Sequence, residues 1–80
     1  MHFVYIVECR DASLYTGSTS DLDRRVREHN GAKTGAKYTK ARRPVALRYS
    51  ESLPTLSAAL KREAEIKKLS RKEKRALIGS

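Results

Sequence analysis

Apolar positions fall along this chain in short stretches, each with its own period. Phe3-Val4-Tyr5-Ile6-Val7 is an unbroken β-branched and aromatic run, which predicts a strand covered on both faces. Arg10 to Ser13 is a polar turn and Leu14 to Gly17 a second short strand, so the first two elements read as a hairpin. Ser20 and Asp23 stand at capping-box spacing and start a helix running to about Asn30, with Gly31 as its stop. On that helix Leu22 and Val26 point at the sheet and draw Arg25 and His29 towards the same boundary. Residues 31 to 44 predict a loop that is long for so small a domain, and therefore functional or mobile. Val45 to Tyr49 is a third strand. A second helix follows Pro54 and Thr55 and runs to about Leu69, with Leu56, Ala59, Leu60 and Ile66 on one face. Ser70 with Glu73 repeats the capping-box spacing and opens a short basic helix. The order β-β-α-β-α-α predicts an α/β (α+β) fold: a three-stranded, largely antiparallel sheet flanked by helices, in a single domain over residues 1–80.

Composition narrows what such a domain does. A chain of 80 residues buries only ~60% of its unfolded surface, so its site is expected to be a shallow groove. Eighteen Lys and Arg against nine Asp and Glu give a net charge of +9, which favours a polyanion, nucleic acid above all. No helix carries the bulky apolar face that membrane anchoring needs, and Phe3 to Val7 is too short for a span or a signal peptide. Cys9 is the only cysteine, which excludes an intramolecular disulfide and a cysteine-rich zinc site. The expectation is a cytoplasmic protein.

Glu63 falls near the middle of the apolar face of the second helix. A carboxylate at the margin of a core needs a compensating cation. Lys67, four residues on, supplies one; a divalent metal ion is the alternative. Arg25 is likewise placed to form an ion pair with Asp21, four residues before it. Lys33, Lys37, Lys40, Arg42 and Arg43 fill the loop with no acid among them, and Tyr38 between two of the lysines is placed to stack on an unpaired base. Arg24 looks outward on the first helix.

Together these residues resemble the GIY-YIG nuclease family, whose signature is two tyrosine tripeptides, a helical arginine and a late glutamate. Phe3-Val4-Tyr5 and Tyr15-Thr16-Gly17 match the tripeptides, Arg25 follows Gly17 by eight residues, and Glu63 comes late. The resemblance runs from about Phe3 to Leu69 and is strongest to the short, bacterial, UPF0213-like members. Phe3 stands where the family name has glycine and Thr16 where it has isoleucine. The late asparagine of many members is absent, Asn30 being the only asparagine.

The resemblance implies a divalent-metal-dependent DNA endonuclease that leaves a 5′-phosphate and a 3′-hydroxyl. Tyr5 is then the general base, Tyr15 orients water or phosphate, Arg25 clamps the scissile phosphate, His29 contacts the phosphate or leaving group, and Glu63 holds one Mg²⁺ or Mn²⁺. A phenol titrating near ~10 is a poor base at neutral pH, so neighbouring cations and metal-bound water are expected to lower the pKa of Tyr5 or share its proton. Gly17 is expected to let the backbone approach a phosphate beside a helix N-terminus. The substrate expected is DNA of low sequence specificity, single-stranded before branched or flap DNA and before duplex, in repair or processing. No small-molecule cofactor is implied, and a protein partner would supply any specificity. Two other classes remain open: a non-catalytic nucleic-acid-binding module on the same fold, and a structural RNA- or ribosome-associated basic protein.

Overall fold

The computed structural model describes residues 1–31 and 37–79, with the side chains of Lys37 and Tyr38 outside that description. Its elements are β1 (His2–Glu8), β2 (Leu14–Thr19), α1 (Leu22–Gly31), the single-turn α2 (Lys37–Lys40), β3 (Ala46–Leu53), α3 (Leu56–Lys67) and α4 (Arg71–Gly79). The strands form one antiparallel sheet in the order β2-β1-β3. The unbroken apolar run is therefore the central strand, and Val4 through Val7 are all buried.

Alternation along β1 divides its side chains between two cores. Val4 and Ile6 pack with Ala59 and Ile66 of α3, joined by Leu69, Leu77 and Ile78. Tyr5, Val7 and Cys9 pack on the other face with Val45, Tyr15 and the α1 residues Leu22 and Val26. The sheet thus has helices on both faces, and Tyr5 lies on the α1 side. Its cross-strand partner on β2 is Gly17, and that of Val7 is Tyr15.

Local signals set most boundaries. Thr55 caps α3, accepting the Ala58 N–H at 3.1 Å. Ser70 and Glu73 form the expected reciprocal capping box of α4. At α1 the cap lies one residue later than predicted. The Asp21 carboxylate accepts the Arg24 N–H at 3.0 Å, while the Asp21 N–H is itself held by Thr19 Oγ1 at 3.1 Å. A carboxylate at this end also opposes the helix dipole, an advantage Ser20 lacks.

Three further expectations are corrected. β3 extends to Leu53, because pairing with His2 and Phe3 carries it well past Tyr49. Within the expected loop, residues 37–40 form a helical turn. On α3, Ala59 and Ile66 are buried, whereas Leu56 and Leu60 are 52% and 51% exposed. The helix is turned so that Ala59, having little bulk, meets the sheet. On one flank Arg62 reaches across to Glu51 of β3 at 3.0 Å, and the other flank carries Leu56, Leu60, Glu63 and Lys67 at spacings of four, three and four.

Candidate active site

Tyr5 is fixed from three sides. Its Oη lies 2.8 Å from His29 Nε2 and receives the Arg25 Nε–H at 3.4 Å. A Cβ built on Gly17 would stand only 2.5 Å from Oη and 2.8 Å from Cζ. Gly17 is itself buried. Its lack of a side chain makes room for the phenol across the strand pair.

His29 is the hub of the cluster. It is fully buried, its ring meets the rings of Tyr5 and Tyr15 edge-on at 5.8 and 5.3 Å, and its Nδ1 lies 2.7 Å from Thr39 Oγ1. Since Arg25 donates to Tyr5 Oη, the phenol's own proton is left for His29 Nε2. That assigns the imidazole proton to Nδ1, facing Thr39. Burial first, then the Arg25 charge, lowers the His29 pKa from 6.5 to about 4, so the ring is neutral near pH 7 and Nε2 is an acceptor.

Tyr5 departs from expectation. Burial raises its pKa above 10 and outweighs the hydrogen bond and charge of Arg25, which pull it down; the fields of Tyr15 and Glu63 push it further up. At neutral pH the residue is a phenol and not a phenolate. Arg25 stays cationic: burial alone would weaken it, but its bonds to Tyr5 and to Glu28, 3.0 Å away, prevail. The Glu28 pair replaces the Asp21 pair considered from the sequence.

Glu63 stands on α3, which packs on the opposite face of the sheet from α1. Its charge acts on Tyr5, and that of Tyr15 acts on Lys67. The Glu63 side chain is 17% exposed and its Oε2 lies 2.7 Å from Lys67 Nζ. An ammonium thus stands where a cation can be held. The donor set suits Mg²⁺ or Mn²⁺, hard ions that accept one protein carboxylate and keep several waters. It does not suit zinc, since among the described residues no three His, Cys, Asp or Glu converge.

The structure brings Tyr5, Tyr15, Gly17, Arg25 and His29 into contact, with the charge of Glu63 acting on Tyr5. Arg24 and Lys40 are exposed. Arg42 pairs with Asp11 at 3.2 Å. Arg43 turns inward, its guanidinium donating to the carbonyls of His29 and Glu28, so it closes the C-terminal end of α1 instead of reaching outward. Lys33 and the side chains of Lys37 and Tyr38 lie outside the described residues. Thr39 was missed, for a threonine in a basic loop carries no signal of a histidine ten residues earlier. Asn30 was also passed over; its amide pairs with both the N–H and C=O of Val45, at 2.6 and 3.0 Å, and ties α1 to the start of β3.

Comparison with known proteins gives the family. The family described as the GIY-YIG catalytic domain matches residues 1–76. A UPF0213 protein of Syntrophus aciditrophicus is 57% identical over 77 residues, covering 96% of this chain and 88% of that one. A UPF0213 protein of Halobacterium salinarum is 56% identical over 78 residues, covering 98% and 100%. The solution NMR structure of the UPF0213 protein of Bacillus halodurans is similar at a TM-score of 0.62 and 45% identity, covering 98% of this chain and 82% of that one. Among the described residues no helix is long and apolar enough to cross a membrane. With that family model matched over residues 1–76 and those relatives more than half identical, the chain belongs to the GIY-YIG family, a nuclease-type fold.

Proposed function

We propose that the protein is a divalent-metal-dependent DNA endonuclease of low sequence specificity, acting on single strands in preference to branched DNA or duplex. The observation that carries this reading is the buried Tyr5–His29–Arg25 cluster within the field of Glu63. A neutral phenol with a raised pKa is a poor resting base, yet it is well placed as a relay. As an attacking water gives its proton to Tyr5 Oη, the phenolic proton moves to His29 Nε2, a weak base at rest whose proton affinity rises once the phosphate's negative charge offsets that of Arg25. Thr39 holds the ring in the tautomer that leaves Nε2 open.

Arg25 brings positive charge to the phosphate as charge builds on its oxygens. The water oxygen bonds to phosphorus while the P–O3′ bond breaks, and the O3′ takes a proton from solvent. The products are a 5′-phosphate and a 3′-hydroxyl. A Mg²⁺ or Mn²⁺ ion held by Glu63 supplies further charge stabilisation when bound. Tyr15, edge-on to His29, orients water or phosphate at the mouth of the site.

The test is cleavage of end-labelled single-stranded, duplex and branched DNA with Mg²⁺, Mn²⁺ or EDTA, beside Glu63→Gln and Arg25→Ala. Metal-dependent cutting lost in both variants, with DNA binding kept, is the expected result. Cutting that persists in both refutes the assignment. One observation favours a second reading, a binding module without catalysis: Glu63 is already neutralised by Lys67 at 2.7 Å. Binding without cutting under every metal condition would establish it.

A further inference from the structure

The half-exposed leucines of α3 have no role in the reaction as described. Leu56 and Leu60 lie a turn apart on the flank that also carries Glu63, and about half of each stays open to solvent. Residues three or four apart on a helix place their Cβ atoms ~5–6 Å from one another, so Leu60 adjoins Glu63 directly. Ala64, exposed and small, widens the surface without raising it. The result is a flat apolar step beside the proposed catalytic carboxylate.

We propose that Leu56 and Leu60 seat an unstacked nucleobase of a single strand whose scissile phosphate lies at the Tyr5–Glu63 site. The inference rests on the nuclease reading and supplies the source of its strand preference. A base in a duplex is paired and stacked, so its face is not available to a leucine step; a base in a single strand is.

Charge selects this occupant. Lys61, Lys67 and Lys68 are exposed around the step, and the nearest other acid on the helix, Glu65, pairs with Arg62 at 3.3 Å. That setting suits a ligand apolar at its base and anionic along its backbone. It opposes a second copy of this chain, because two surfaces from molecules of net charge +9 would meet with like charges facing. Two half-exposed leucines also fall far short of the ~1,200 Å² that a stable protein interface buries.

The experiment is fluorescence anisotropy in the Glu63→Gln background, where no cleavage confuses binding. Three probes are compared: a thymidine strand, an abasic sugar-phosphate strand of equal length, and a blunt duplex. Leu56→Ser/Leu60→Ser is expected to weaken binding of the thymidine strand roughly fivefold, the low end for a base contact, and to leave the abasic strand and duplex unchanged. Leu60→Trp, which enlarges the step, is expected to tighten the thymidine strand alone. Leu47→Ser, at an exposed leucine of β3, is the control and changes none of the three. Equal losses on thymidine and abasic strands, or no loss on either, overturn the proposal. So does a dimer in sedimentation that the double variant abolishes. These outcomes are read without cleavage, so they stand apart from failure of the nuclease assignment itself.

Discussion

Gly17→Ala puts the geometry of the site to a demanding test, because the new methyl has nowhere to go. Its carbon would stand 2.5 Å from Tyr5 Oη and 2.8 Å from Cζ, where ordinary contact begins at 3.4 Å. Something must move by ~1 Å, a shift of the kind that costs ~1–3 kcal/mol in a packed interior. Tyr5 is 1% exposed and held by His29 and Arg25, so its retreat also breaks a buried hydrogen bond worth ~1 kcal/mol. Against this, Gly17 does not have a positive φ, and alanine restricts the unfolded chain, returning ~0.4–1 kcal/mol. The net expectation is a destabilisation of about 2 kcal/mol, or a Tm lower by roughly 10 °C for a domain of this size. Urea unfolding measures the first quantity and calorimetry the second. Repeating the substitution in a Tyr5→Phe background removes the nearest atom, so the cost there should fall. Unchanged stability in Gly17→Ala, or an equal cost with and without the hydroxyl, refutes the argument that Gly17 is fixed by Tyr5.

Two further predictions follow from buried polar groups. His29 is neutral in the fold with its pKa depressed from 6.5 to about 4, so its contribution is complete above pH 6.5 and is lost as pH falls towards 4. The loss amounts to about 3 kcal/mol, and His29→Gln should flatten that limb of the urea-midpoint profile; an equally steep limb in the variant contradicts it. Thr16 Oγ1 is buried with no hydrogen-bond partner among the described residues, so Thr16→Val should stabilise the fold by ~1 kcal/mol, and a measured loss would mean that the hydroxyl is satisfied.

The fold was largely legible because its strongest signals are local. The run from Phe3 to Val7 admits one reading, and the caps at Thr55 and Ser70 are set by side chains within three residues. What the sequence did not disclose depended on distance or on rotation. The turn of α3 about its axis is decided by how closely Ala59 approaches the sheet and by Arg62 meeting Glu51, so the four apolar positions alone misplaced Leu56 and Leu60. The signature positions Tyr5 and Arg25 do meet around His29, yet the pKa of Tyr5 moves the other way from one of the two expectations. Counting nearby cations predicts a lowered pKa, whereas enclosure by Gly17, His29 and the α1 face desolvates the phenol and raises it. Arg43 illustrates the same limit, since a cation in a basic loop is expected to face solvent and here binds two carbonyls at the end of a helix.

The central claim is that Tyr5 Oη carries the proton from the attacking water. Tyr5→Phe deletes that one atom from a side chain that remains buried and of the same shape. The decisive measurement is the single-turnover rate of single-strand cleavage in Mn²⁺ for wild type and Tyr5→Phe, at DNA concentrations that saturate both. The account predicts a loss of ~10²-fold or more in the variant with binding of the same strand unchanged. Cleavage by Tyr5→Phe at the wild-type rate would contradict it.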